Sequence, residues 1–81
     1  MMEAFVLIIV KPGNEERVYQ ALEGHHQVKE IYKVYGEYDI IVRVEVGNIK
    51  ELDDFHDKVL RKIREVEMTE TLIASSYTVK G

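Results

Sequence analysis

Tyr38-Asp39-Ile40-Ile41-Val42-Arg43-Val44-Glu45-Val46 alternates with the period of a half-buried strand. Tyr38, Ile40, Val42, Val44 and Val46 share one face, and Asp39, Ile41, Arg43 and Glu45 share the other. Just upstream, Val28 to Tyr35 also alternates. Val28, Tyr32 and Val34 fall with Glu30 on one side, against Lys29, Ile31, Lys33 and Tyr35. Two alternating strands around a Gly36-Glu37 turn predict a β-hairpin.

The segments flanking the hairpin repeat one pattern. On its N-terminal side, Ala4-Phe5-Val6-Leu7-Ile8-Ile9-Val10 is an unbroken apolar run, rich in β-branched residues. Its length suits a strand, and its lack of alternation predicts cover on both faces. Pro12-Gly13 ends it, and Asn14 is placed to cap a helix whose first turn carries Glu15 and Glu16. Val18, Ala21 and Leu22 form a narrow apolar stripe, Gly24 ends the helix, and His25-His26 lie in the loop beyond. On the C-terminal side, Gly47-Asn48 breaks the strand, and Asn48 with Glu51 has the spacing of a capping box. Ile49, Leu52, Phe55, Val59, Ile63 and Val66 then recur every three or four residues, which predicts a helix of about four to five turns. Met68 to Val79 returns to strand composition.

The order is β-α-β-β-α-β, which predicts an α+β, ferredoxin-like fold: a four-stranded antiparallel sheet with two helices on one face. The opposite sheet face is left bare, and on the hairpin's second strand it is expected to bear Asp39, Ile41, Arg43 and Glu45. A chain of 81 residues is one domain with a thin core. Small domains compensate with disulfides, a metal or association. Without cysteine, disulfides, thiolate metal sites and thiol nucleophiles are excluded. Association with a second copy is therefore the expected cover for the bare face.

Eleven Lys and Arg against 15 Asp and Glu leave a net charge of −4, the wrong sign for gripping phosphates directly. No stretch approaches the ~20 apolar residues of a membrane span. The N-terminus lacks the basic flank of a signal peptide, so a cytoplasmic location is expected.

Groups suited to catalysis are sparse. Gly13, Gly24, Gly36 and Gly47 are isolated, so no phosphate-cradling loop is present. Ser75-Ser76 reads as small strand residues, and His25-His26 as an exposed polar loop; no metal site and no cofactor are expected. His56, among Asp53, Asp54 and Asp57, reads as part of a solvated helix face. Tyr32, Tyr35 and Tyr38 bracket the hairpin turn and read as packing or interface residues rather than base-stacking ones. Gly36-Glu37-Tyr38-Asp39 is the most informative segment. Gly36 can expose backbone N–H groups, and Asp39 can accept hydrogen bonds from an ammonium or from the turn itself.

Here the chain resembles the C-terminal ligand-binding domain of the Lrp/AsnC feast–famine transcription regulators, the RAM domain. The matching stretches are Ala4 to Val10, Val28 to Val34, Gly36-Glu37-Tyr38-Asp39-Ile40-Ile41-Val42 and Thr69-Glu70-Thr71-Leu72-Ile73, so the resemblance spans nearly all of residues 1–81. It implies a dimeric α/β-barrel assembly in which sheets pair face to face, with dimers joining into octamer-like rings. It also implies an amino-acid ligand held between dimers. Gly36, Glu37 and Tyr38 would lend backbone groups, Asp39 would hold the ammonium or order the loop, and Thr69 and Thr71 would line the neighbouring strand.

Two departures stand out. The family's regulators place a helix-turn-helix domain ahead of this one, and nothing precedes Met1 here. The chain thus resembles a stand-alone form that acts on transcription through partners, among them full-length Lrp/AsnC-type regulators. Arg64-Glu65 also stand where a Pro-Gly or similar turn usually precedes the last strand. The alternatives are a small dimeric α/β-barrel enzyme, disfavoured by the scarcity of catalytic groups, and a purely structural oligomerisation domain.

Overall fold

The structure is a computed structural model that describes residues Met1–Gly81. Its elements follow the predicted order: β1 (Met2–Val10), α1 (Glu15–Glu23), β2 (Val28–Lys33), β3 (Ile40–Val46), α2 (Ile49–Lys58), a 3₁₀ turn (Leu60–Lys62) and β4 (Val66–Ile73). The strands form one antiparallel sheet in the order β2-β3-β1-β4, the ferredoxin-like α+β arrangement.

Strand periodicity sorts the side chains as pleating requires. Ala4, Val6, Ile8 and Val10 of β1, with Ile40, Val42, Val44 and Val46 of β3, are buried beneath the helices. Val18 and Leu22 of α1 and Leu52 and Phe55 of α2 close the core from above. All fourteen buried residues are apolar, and the Gln27 side-chain oxygen at the edge of the core is buried without a hydrogen-bond partner. Residues of odd number in β1 and β3 (Phe5, Leu7, Ile9 and Ile41) face the other way and are only half buried. The molecule's shortest dimension, 20 Å, is that of one sheet and one helical layer, so the second sheet face has no cover.

The capping of α2 works as its sequence suggests. Asn48 Oδ1 accepts from Glu51 N at 2.9 Å, and Glu51 Oε2 accepts in return from Gly47 N at 2.8 Å. Asn14 behaves differently. Its side chain makes no cap to α1; its amide donates to the carbonyls of Lys11 and Pro12 and pins the preceding turn instead.

Three expected boundaries are corrected. Helix α2 stops at Lys58 and tightens into the 3₁₀ turn, which swings Leu60 into the core; Ile63 is already extended and Val66 opens β4. The apolar spacing continued past the helix because Ile63 and Val66 still pack on the core from a turn and a strand. Strand β4 begins two residues earlier than expected and ends at Ile73, not Val79. Its pairing with β1 runs out there, with Ala74 N donating to Glu3 O as the last link. In β2 a register shift between Val28 and Glu30 breaks the alternation: Val28 pairs with Val44 and Ile31 with Val42, both under the helices, whereas Tyr32 pairs with Ile41 on the bare face. Val28 and Tyr32 therefore lie on opposite faces, contrary to the simple pattern.

Candidate functional site

The β2–β3 turn is built around one glycine and one aspartate. Gly36 has φ +140°, a conformation that side chains disfavour, and a Cβ built on it would meet nothing within 4 Å, so the backbone and not space demands glycine. Asp39 is held from three directions. Its N–H donates to Ile8 O at 2.8 Å, its carbonyl accepts from Val34 N at 2.9 Å, and its Oδ2 accepts from Val10 N at 2.8 Å. The carboxylate thus continues the β1–β3 ladder past the last paired residue and sets the turn against the end of β1. Oδ1 has no protein partner, and Asp39 lines a shallow depression with Glu15, Lys33, Val34 and Tyr35. Glu37 is exposed and Tyr35 fully so.

Tyr38 does not follow the strand's alternation, because regular pairing starts only at Ile40. Its hydroxyl donates to the Glu70 carboxylate, which lies opposite Leu7 on the bare face. That bond holds the Tyr38 phenol above its ordinary pKa, since ionisation would set two negative charges together.

Thr69 and Thr71 are not brought to this turn. They pair with Ile8 and Val6, residues buried beneath the helices, and so lie on the helical side of the sheet. Thr69 Oγ1 instead lies 3.4 Å from His56 Nε2 on α2. In one chain, then, Gly36, Glu37, Tyr38 and Asp39 form one patch, and Thr69 and Thr71 belong to another. His56 was read as solvated and is half-buried against β4. The signal was present: it lies four residues after Leu52 and three before Val59, on the flank of the apolar stripe. His25, read as a polar loop residue, packs its ring edge-on to Phe55 with centroids 6.4 Å apart.

On the bare face, Arg43 sits among three carboxylates: Glu30 at 2.8 Å, Glu45 at 2.8 Å and Glu3 at 3.0 Å. The pairing raises Arg43's affinity for its proton, with Glu30 the largest cause. Reciprocally, the Arg43 guanidinium, with help from Tyr32 OH, holds Glu30 below the usual carboxylate range. Around this cluster the face is apolar: Leu7, Ile9 and Ile41 are half-buried, and Tyr32 (48% exposed), Met68 (59%) and Leu72 (49%) stand open. No helix is long and apolar enough to cross a membrane.

Residues 3–81 match the family described as the Lrp/AsnC ligand binding domain. The HTH-type transcriptional regulator FL11 of Pyrococcus abyssi is 39% identical over 72 residues, covering 89% of this chain and 47% of FL11. The chain thus spans about half the length of such curated relatives. The crystal structure of FFRP-DM1 superposes with a TM-score of 0.87 at 46% identity, over 91% of this chain and 99% of that one. The transcriptional regulator NMB0573 of Neisseria meningitidis, solved as an L-Met complex, superposes at 0.87 over 98% of this chain and 53% of its own, and at 11% identity shows the fold alone.

Proposed function

Because the chain belongs to the Lrp/AsnC ligand binding domain family, a family of transcription regulators and not of enzymes, we propose that it is an amino-acid-responsive oligomerisation module. It acts on transcription through DNA-binding domains supplied from outside these 81 residues. The observation that carries this reading is the bare sheet face. A contiguous apolar surface spanning β1, β3 and β4, with a charged cluster at one side, marks an interface. A second copy with the same face covers it in an isologous pair.

The ligand site follows from the separation of the two patches. The turn with Gly36, Glu37, Tyr38 and Asp39 and the strand with Thr69 and Thr71 are each half a site, and two copies from neighbouring dimers bring them together. Asp39 Oδ1 receives the ligand's ammonium while Oδ2 stays on Val10 N. Ligand bound between dimers favours the larger assembly, octamer-like rings, over free dimers, and that difference in affinity is the regulatory signal.

The test is thermal unfolding against the twenty amino acids, with light-scattering mass on the same samples, for the wild type and Asp39→Asn. Asparagine keeps an acceptor for Val10 N and removes the charge. A ligand at 100 times its Kd adds about 2.7 kcal/mol of stability. A selective shift that Asp39→Asn diminishes is expected; a stable oligomer indifferent to every amino acid hands the argument to a purely structural role.

A further inference from the structure

Residues 74–81, Ala-Ser-Ser-Tyr-Thr-Val-Lys-Gly, carry a strand pattern that the folded chain does not use. Tyr77 and Val79 alternate with Ser76, Thr78 and Lys80, and Tyr, Thr and Val are residue types that strands favour. After the Ala74 N–H bond to Glu3 O, however, residues 75–81 make no backbone hydrogen bond, and Tyr77 (69% exposed) and Val79 (84%) stand open. The segment crosses the bare-face side of the sheet over Glu3, Glu30, Arg43 and Glu45, with a space of about 430 Å³ between.

Its own β4 cannot be its partner. Folding back there needs a tight hairpin around Ile73-Ala74, and such turns call for Gly, Asn or Asp with positive φ. None stands there, and Ala74 carries straight on along β1. The β4 edge of a second copy imposes no such turn. Because Ala74 N bonds to β1, antiparallel alternation points the backbone groups of Thr69, Thr71 and Ile73 outward from the edge of the sheet, where they pair with nothing. The other edge, β2, presents Lys29 and Lys33, the wrong sign to set beside Lys80.

We propose that residues 75–80 add as an antiparallel fifth strand to the β4 edge of a second copy. Ser76 lies opposite Thr71 and Thr78 opposite Thr69, and these two pairs exchange the backbone hydrogen bonds. On the bare-face side, Val79 then stands beside Met68 and Tyr77 beside Glu70, so the added strand widens that face. Lys80 meets Glu67, a carboxylate that forms no ion pair within its own chain. The strand lies in the plane of the sheet, about 4.8 Å from β4, and leaves the surface above Thr69 and Thr71 open. This rests on the self-association proposed above and names the element that crosses between copies.

The experiment is residue-resolved amide hydrogen exchange on the 81-residue chain, at a concentration where light scattering shows the assembly. The Ser76 and Thr78 amides should exchange at least about a hundredfold more slowly than in an unstructured chain, while Tyr77 and Val79, whose N–H groups point away from β4, stay fast. Thr78→Pro deletes one pairing donor and should weaken association about tenfold; Thr78→Ala keeps the donor and should weaken it far less. Neither variant touches a backbone hydrogen bond of the single chain, so circular dichroism should be unchanged. Lys80→Glu and Glu67→Lys chains should each associate more weakly alone than when mixed. An assembly in which all four amides exchange freely, or in which Thr78→Pro associates like the wild type, overturns the strand exchange and leaves face pairing standing. A chain that is monomeric at every concentration overturns both.

Discussion

Asp39 offers a perturbation whose size follows from the structure. Its Oδ2 accepts the Val10 N–H at 2.8 Å, at a half-buried position beside a Val10 side chain that is 4% exposed. Asp39→Ala removes the acceptor and leaves that part-buried N–H without a protein partner. A hydrogen bond to a charged group contributes about 1.5–3 kcal/mol, and an orphaned buried donor retains the full desolvation penalty. A domain of this size loses roughly 4–8 °C of midpoint per kcal/mol, so Asp39→Ala should melt roughly 6–24 °C below the wild type. Asp39→Asn keeps an amide oxygen in place, and a neutral acceptor is roughly half as strong as a charged one, so its loss should be about half as large. The assay is urea and thermal unfolding without ligand at one fixed protein concentration, because association makes stability concentration-dependent. Asp39→Ala melting with the wild type, or Asp39→Asn falling as far as Asp39→Ala, would refute the claim that this carboxylate completes the sheet ladder.

Three other outcomes are expected. Gly36→Ala should lose about 1–3 kcal/mol by urea unfolding, all of it backbone strain at φ +140°, since the added Cβ touches nothing; an unchanged midpoint would remove the case for glycine there. The Arg43 cluster predicts a pH effect with a definite sign. Glu30's folded pKa lies below its ordinary 4.5, chiefly through Arg43, so its contribution is present above 4.5 and lost as pH falls through the folded value. In Arg43→Met, Glu3, Glu30 and Glu45 face one another uncompensated, and acidification should relieve that repulsion and raise stability instead of lowering it; identical acid slopes for the two proteins in urea unfolding would contradict this. Leu7→Glu places a charge beside Ile41 at the centre of the bare face, and light scattering should show a smaller mass than the proposed face-to-face assembly while circular dichroism keeps its helical signal; an unchanged mass would move the interface elsewhere.

Much of this molecule was legible in the residue order because local rules govern it. Period-two alternation in Ile40 to Val46 identified the face of β3 that the helices cover, and Asn48 with Glu51 announced the start of α2. Glycine at position 36 followed from the turn, and the resemblance carried by Gly36-Glu37-Tyr38-Asp39 pointed to the family that the chain does belong to. The bare sheet face also followed from counting: two amphipathic helices cover one side of a sheet and no more.

What only the tertiary structure decided depends on pairing between residues far apart in the chain. The bulge after Val28 is set by the register of β2 on β3, and no property of Val28 or Tyr32 alone announces that they part company. Where α2 yields to β4 depends on Val66 finding Val10, fifty-six positions away, more than on the helical spacing that runs through it. His56 and Thr69 are joined by the packing of α2 over an edge strand, and Asp39's carboxylate finds its donor on β1. Hydrophobic period and capping act over a few residues and were readable; register and side-chain convergence are fixed by contacts that form only when the sheet closes, and those placed the candidate site.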